Sequence, residues 1–384
     1  MKILLVSMPS IHFFRWIENM QDSPHEFYWF DIYDHELSFS NNYQIKKVEF
    51  PLRKLPFFLD DQMMPYYLGW LYESVGYFMK STTTEYWDEV IDIIKPDAVH
   101  SFEMLSSSCL ITETMEKHPN LPWIYSCWGS DMYYYMGLPS AFSAELDQMR
   151  RLLQRIQFLH TDCQRDYDLA LILGFRGKHA GVIPGGGGYM LTKYADKKLK
   201  ISDRKIILVK GYEDSVGKAL NVIKALENIQ TKITDYQVVV FASNPAVSDY
   251  IYDKQLPFFS YVGFSLDNTL ILQLMGQSLL YIGNSTSDGM PNTLLEAIFM
   301  GAFPIQSNPG NVTTEIIENR KNGLLIQDPD DIDALQLLIE DALTNKERLQ
   351  TAYEMNTKIA VERLAYHINQ QKIIELYNML KPVS

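Results

Sequence analysis

Apolar residues come along this chain in short unbroken runs, separated by longer stretches in which they recur at helical spacing. "KILLVSM", "EFYWFDI", "PDAVHSF", "PWIYSCW", "IQFLHTD" and "AGVIP" read as strands in the first half, and "KIILVKG", "YQVVVFA", "SLLYIG", "AFPIQ" and "GLLIQ" in the second. A run without polar alternation fits a strand covered on both faces, as in parallel sheets flanked by helices. The pattern predicts an α/β chain. Between the halves, "PGGGGYMLTKYADKKLKISDRK" sets four glycines (Gly185 to Gly188) against a lysine-rich stretch, and "KIILVKG" then starts afresh like a first strand. Such a segment suits a linker, and eleven parallel strands with a restart are awkward for one sheet. The expected division is 1–190, a linker at 191–204, a second domain at 205–358 and a terminal segment at 359–384. "VERLAYHINQQKIIELYNML" keeps helical spacing through Val361, Leu364, Ala365, Ile368, Leu376 and Leu380. It predicts a long helix that caps its own domain or crosses back to the first.

Composition narrows the picture. At 384 residues and 47% hydrophobic the chain can build two cores. A net charge of −13 argues against a general nucleic-acid surface. Cys109, Cys127 and Cys163 are scattered without metal-ligand spacing, as in a reduced, cytoplasmic protein. "MKILLVSMP" is a first strand and not a leader, and no run approaches the ~18 apolar residues of a membrane span. Peripheral contact with the inner face of the membrane stays open. Residues 51–87 form an aromatic-rich insertion, read either as a binding surface or as a helical subdomain with an aromatic core.

The most informative stretch is "NSTSDGMPNTLLEAIFMGAFP", residues 284–304. Pro291 suits the first position of a helix and Gly301 the position past its end, which predicts a helix over about 291–300. The amides at its start form a ready anion site. Glu296 lies inside this apolar helix and leans back toward its start, and Asp288 stands in the loop before it. The arrangement of carboxylate, helix mouth and carboxylate fits a ligand with a central diphosphate and a sugar at each end. Pairing of Glu296 with a lysine or arginine is the alternative that spacing leaves open.

"SDGMPNTLLEAIFMGAFPIQSNPGNVTTEIIENRKNGLLI" resembles the signature of the retaining GT-B glycosyltransferases of family 4 through Asp288, Gly289, Pro291, Glu296, Ala297, Gly301, Pro304, Glu315, Asn322 and Gly323. The resemblance implies two Rossmann-like domains facing across a cleft and a last helix crossing back to the first. The second domain would hold a nucleotide-sugar donor and the first an acceptor, with no bound metal and no further cofactor. It places Asp288 at the transferred hexose and Glu296 at the ribose. Gly289, Met290, Pro291, Asn292, Thr293, Leu294 and Leu295 would line the helix mouth, and Ser243 and Phe264 lie in loops that contact the base. The family's arginine and lysine after the first strand of this domain become "KGYEDSVGKAL": Tyr212 replaces the arginine, so Lys218, and beside it Lys210 next to Gly211, would neutralise the diphosphate. "SCWGSDMY" resembles the family's His-Gly-Ser-Asp segment, with Trp128 in the histidine position and Gly129 and Asp131 matching; Asp131 equally suits a turn cap. His12 and Glu103 complete the acceptor-side candidates, a structural role being open to His12, and His100 is expected to face the core. The "DPDD" run at 328–331 reads as a helix N-cap loop and not a metal site.

These features predict a metal-independent, retaining transfer of a hexose from a UDP- or GDP-linked donor to a hydroxyl of a glycan or lipid-linked saccharide. The alternatives are an epimerase or hydrolase of the same fold, or a catalytically weak binding subunit.

Overall fold

The computed structural model describes residues 1–32, 45–48, 86–129, 131–137, 143–263 and 267–380. Of the aromatic insertion only Tyr86 and Trp87 fall within them, and Phe264 lies outside them. The chain divides into two units. The first holds residues 1–162, 166–187 and 372–384; the second holds 163–165 and 188–371. Among the described residues no helix is long and apolar enough to cross a membrane.

The first unit is built on β1 (Lys2–Ser7), β2 (Glu26–Asp31), β3 (Ile45–Lys47), β4 (Ala98–Phe102), β5 (Trp123–Ser126), β6 (Phe158–Thr161) and β7 (Lys178–Val182). They form one parallel sheet in the order β3-β2-β1-β4-β5-β6-β7. The second unit repeats the plan with β8 (Ile206–Lys210), β9 (Gln237–Phe241), β10 (Phe259–Tyr261), β11 (Ser278–Gly283), β12 (Phe303–Ser307) and β13 (Leu324–Ile326) in the order β10-β9-β8-β11-β12-β13. Each order reverses beside its first strand, the doubly wound arrangement that opens a crevice beyond the carboxyl ends of the strands. All eleven runs anticipated from the pattern are strands. The two that pattern reading missed, β3 and β10, are three-residue edge strands with polar or exposed residues, so they carry no buried run to detect.

The passage between the units runs through the glycines. Gly187 and Gly188 have φ of +65° and +86°, and a Cβ on Gly188 would meet the Ala365 carbonyl at 3.0 Å. These glycines therefore serve left-handed backbone and close approach. Residues 189–204 pack on the second unit, where buried Arg204 donates to the carbonyls of Leu199, Ser278, Met300 and Gly301.

The long terminal helix is interrupted. A helix Lys346–Ile359 passes into one π turn, Ala360–Leu364, then Ala365 turns extended (ψ 138°) before a helix Tyr366–Asn378. Tyr189 causes the break. Its N–H donates to Leu364 O at 2.8 Å and its carbonyl accepts from Tyr366 N at 2.9 Å, so the backbone at 365 pairs sideways as a bridge. Helical spacing continues through the break, and for that reason periodicity did not reveal it.

Beyond the break, Ile373, Leu376 and Tyr377 are buried in the first unit with Ile3, Leu5, Trp16 and Phe27. Tyr377 ends a chain of buried hydrogen bonds. Trp16 Nε1 donates to the Tyr377 hydroxyl at 3.0 Å, and that hydroxyl lies 2.7 Å from His100 Nδ1. His100 Nε2 is 2.7 Å from Ser126 Oγ, which is 2.8 Å from His160 Nδ1, and His160 Nε2 is 2.9 Å from Ile183 O. A carbonyl only accepts, so His160 carries its proton on Nε2 and its Nδ1 accepts from Ser126. Ser126 Oγ then accepts from His100 Nε2–H, and His100 Nδ1 accepts from Tyr377. Every bond is satisfied with both imidazoles neutral. Burial pushes both pKa values down, His160 to about 4. His100 faces the core, as its apolar surroundings in sequence imply.

Candidate functional site

In the second unit the residues singled out by sequence gather at the carboxyl ends of β8 and β11, the adjacent strands at which the order reverses. Lys210 ends β8. Its ammonium lies 3.6 Å from Asp288 Oδ2 and 4.6 Å from the centre of the Tyr212 ring. Both members of the ion pair are about one-fifth exposed, 18% for Lys210 and 22% for Asp288. The cation stacks on an aromatic face, and the carboxylate stays accessible.

The loop after β8 folds upon itself. Asp214 Oδ1 accepts from Val216 N and Gly217 N, at 2.8 and 2.7 Å. Glu213 Oε2 accepts from Leu220 N at 2.7 Å, in the first turn of the helix Ala219–Asn228. Lys218 is the N-cap residue of that helix. Its backbone is bound to the loop after β11, through Lys218 N to Asn284 O at 3.0 Å and Asn284 Nδ2 to Lys218 O at 3.2 Å. Among the described residues the Lys218 ammonium forms no ion pair, so of the two candidate lysines Lys210 is the one joined to Asp288. A Cβ on Gly217 would lie 2.5 Å from Tyr212 O, a backbone atom that cannot swing aside. Gly217→Ala is therefore expected to destabilise the second unit by about 1–3 kcal/mol, the usual cost of overpacking. Urea unfolding would measure it, and an unchanged midpoint would remove this account of the loop.

The helix predicted over 291–300 runs from Asn292 to Met300, with Pro291 one position earlier than expected, as the cap. Pro291 is extended (ψ 118°), and its carbonyl accepts from Leu294 N and Leu295 N at 3.0 and 3.2 Å. Its missing N–H costs nothing outside the helix. The helix ends at Gly301 in the left-handed conformation. Met290, Leu294 and Leu295 are buried and pack in the core, so only backbone at these positions is available to a ligand. Asn292 and Thr293 are half-buried, and Thr293 Oγ1 is 2.7 Å from the Tyr281 hydroxyl. Glu296 is only 3% exposed, and its Oε1 accepts from Asn268 Nδ2 at 3.1 Å. A neutral amide thus meets the buried carboxylate. Gly211 donates to Phe241 O, and Ser243 is buried just beyond β9 with its N–H on Val262 O. Asp331, in the "DPDD" run, caps the helix Ile332–Thr344 by accepting from Ala334 N at 2.9 Å.

Arg165 escaped sequence reading. Its guanidinium donates from Nη2 to Asp288 O at 2.8 Å and from Nη1 to Pro309 O at 2.9 Å. The Glu315 carboxylate accepts from Gln164 N and Arg165 N, at 2.8 and 3.0 Å. Only Glu315 stood in the quoted motif; Arg165, Asn268 and Tyr281 have no local pattern that announces them.

In the first unit the other candidates collect around β4 and β5. The Trp128 ring lies 4.7 Å from that of Phe102 and 5.9 Å from that of His12, which sits in the first turn of the helix Ile11–Glu18. Gly129 is left-handed at φ +68°. Asp131 opens the helix Asp131–Met136, and Oδ2 accepts from the Tyr125 hydroxyl at 2.6 Å. Glu103, in an unusual left-handed conformation (φ +62°), accepts from Ser106 N at 2.8 Å and also from the Ser106 hydroxyl. Burial, then mutual repulsion with Glu103, pushes the Asp131 carboxyl well up, and burial raises Glu103 as well.

Residues 192–359 match the family model described as glycosyl transferases group 1. No curated protein matches the chain. A sucrose-phosphate synthase from Thermosynechococcus elongatus is similar over 99% of this chain and 98% of its own, with a TM-score of 0.75 and 15% identity. A glycosyltransferase from Rickettsia africae gives 0.70 and 15%, over 100% and 99% of the two chains. The Anabaena protein HepE, solved with UDP-glucose, gives 0.68 and 14%, over 99% and 100%. At such identities the likeness establishes the fold, which is GT-B, built from two Rossmann-like domains.

Proposed function

We propose, from the match of residues 192–359 to the family model described as glycosyl transferases group 1, that the chain is a hexosyltransferase that moves a hexose from a nucleoside diphosphate sugar to a saccharide hydroxyl with retention of configuration. The observation that carries the proposal is the pairing of Asp288 with Lys210 where the strand order reverses, beside the helix that opens at Asn292. Anionic ligands are favoured at helix starts, and α/β sheets bind ligands at such a point. Asp288 would accept from hydroxyls of the donor hexose, and Glu296 from those of the ribose. The amides at the helix start, Lys218 and Lys210 would take the diphosphate. Tyr212, in place of an arginine, supports the Lys210 ammonium with its ring and leaves lysines to neutralise the charge.

In the transfer, the bond from the anomeric carbon to the diphosphate oxygen breaks. The acceptor oxygen bonds to that carbon on the same face, and its proton passes to a phosphate oxygen. The protein contributes position and electrostatic stabilisation of the departing charge. No metal is needed in this scheme, since cationic side chains and amides act in its stead. The acceptor is a glycan or lipid-linked saccharide, bound by the first domain near Trp128, whose ring offers a stacking face, with Glu103, Asp131, His12 and Gly129 around it. HepE's complex with UDP-glucose favours UDP as the first nucleotide to try.

The test is a binding and turnover screen against UDP-, GDP-, ADP- and dTDP-sugars without added metal, with Glu296→Gln alongside. One nucleotide class is expected to bind, with slow hydrolysis of its sugar and about tenfold weaker binding in the variant, the cost of one charged hydrogen bond. Rapid turnover without acceptor would instead indicate a hydrolase or epimerase. Absence of binding by every donor would leave a binding subunit.

A further inference from the structure

Glu315 and Arg165 have no part in the chemistry above, yet together they reach its centre. β11 and β12 are neighbours, and the loop after each ends near the Arg165 guanidinium. That planar fork donates to one carbonyl in each loop, Asp288 O and Pro309 O, and so ties the two together. Lysine could hold one such carbonyl but not two at fixed geometry. Arg165 is itself fixed, since both oxygens of Glu315 are occupied by the N–H groups of residues 164 and 165. Glu315 belongs to the same second-unit segment as Pro309, the turn Pro309–Glu315, and its carbonyl accepts from Arg363 Nη1 at 3.0 Å. The chain of contacts closes: β12 loop, Glu315, Arg165, and back to the loops after β11 and β12.

We infer that Arg165, held by Glu315, is a positioning residue that sets the Asp288 loop for the hexose end of the donor. The inference rests on the transferase reading, because its functional meaning is the placement of Asp288. A backbone clamp at residue 288 fixes where the carboxylate starts and hence which hydroxyls it reaches, and errors near 1 Å at a reacting group are costly. The clamp touches no diphosphate-binding group directly. Its loss should therefore fall on the sugar more than on the nucleotide.

Two readouts test it on the full chain. The first is hydrogen–deuterium exchange of the ligand-free protein: in Arg165→Ala and Glu315→Gln, amides of residues 285–290 are expected to exchange at least tenfold faster, with Arg165→Lys between them and the parent. The second is calorimetry with UDP and UDP-glucose, or GDP and GDP-mannose where the screen selects guanine. Arg165→Ala should bind the nucleotide within threefold of the parent but the nucleotide sugar at least tenfold more weakly. In an Asp288→Asn background the same change should weaken sugar binding less than threefold, because the two act as one unit. Equal weakening of both ligands, or an undiminished effect in that background, would reduce Arg165 to a structural residue and overturn the inference. So would unchanged exchange at 285–290. If the parent binds neither ligand, the transferase reading falls and takes the donor-positioning role with it, while exchange still reports the clamp on its own.

Discussion

Asp288→Asn is expected to lower turnover of the nucleotide sugar by about 100-fold or more, with little change in stability. The side chain is accessible and the substitution keeps its shape, so the fold loses one ion pair of partly exposed groups, worth at most about 1 kcal/mol. Catalysis loses more. A carboxylate aimed at hydroxyls of the transferred sugar makes charge-assisted bonds that an amide makes weakly, and removing a preorganised electrostatic group of this kind typically costs 10²–10³ in rate. The Lys210 ammonium, freed of its partner, would also shift its hold on the diphosphate. Asp288→Glu is the informative companion. The family that the motif resembles has glutamate here, so a carboxylate one methylene longer should retain at least about a tenth of the parental rate or turn over a different hexose. Steady-state kinetics with the donor found by screening would decide. Near-parental turnover by Asp288→Asn would remove this residue from the mechanism.

The second large effect lies far from that loop. Tyr377→Phe should destabilise the first unit by about 2–4 kcal/mol, because Trp16 Nε1 and His100 Nδ1 both lose a buried partner that water cannot replace. For a domain of this size that amounts to a fall of several degrees in melting temperature. The same network makes the unit acid-sensitive. The imidazoles are neutral when folded and burial holds their pKa values down, His160 at about 4, whereas in the unfolded chain histidine titrates near ~6.5. Between these values the unfolded state binds more protons, so the contribution of His160 is present above pH ~6.5 and is lost as pH falls toward 4, by roughly 1.4 kcal/mol per unit at most. Glu103 and Asp131, whose carboxyls are pushed up, act in the opposite sense over part of this range. The measurement is therefore a difference: melting of the parent and of His160→Gln between pH 7.5 and 5. The parent should lose ground relative to the variant as pH falls. A constant gap would mean that the imidazoles are not held neutral.

The position of Glu296 illustrates what was legible in advance. An acidic residue inside "TLLEAIFM" required either a partner or a use, and the chain alone said so. One partner is the amide of Asn268, at the start of a helix 28 residues earlier. Nothing near Asn268 in sequence marks it, because the pairing exists only once two helices pack on the same face of the second sheet. The terminal helix teaches the converse: Leu364, Ile368 and Leu376 keep helical spacing across Ala365, and only the passing backbone of Tyr189 interrupts it.

By itself the sequence determined the α/β alternation, eleven of the strands, the restart near residue 205 and the loop and helix that carry Asp288 and Glu296. Each is written in residues within a few positions of one another, where burial periodicity and helix-end chemistry act. The tertiary structure alone decided the order of strands in each sheet, the two short edge strands and which lysine meets Asp288. It also decided the Tyr377–His100–Ser126–His160 chain and the Arg165–Glu315 clamp. Those depend on contacts between residues up to hundreds of positions apart, made by strand order and packing that no local pattern encodes.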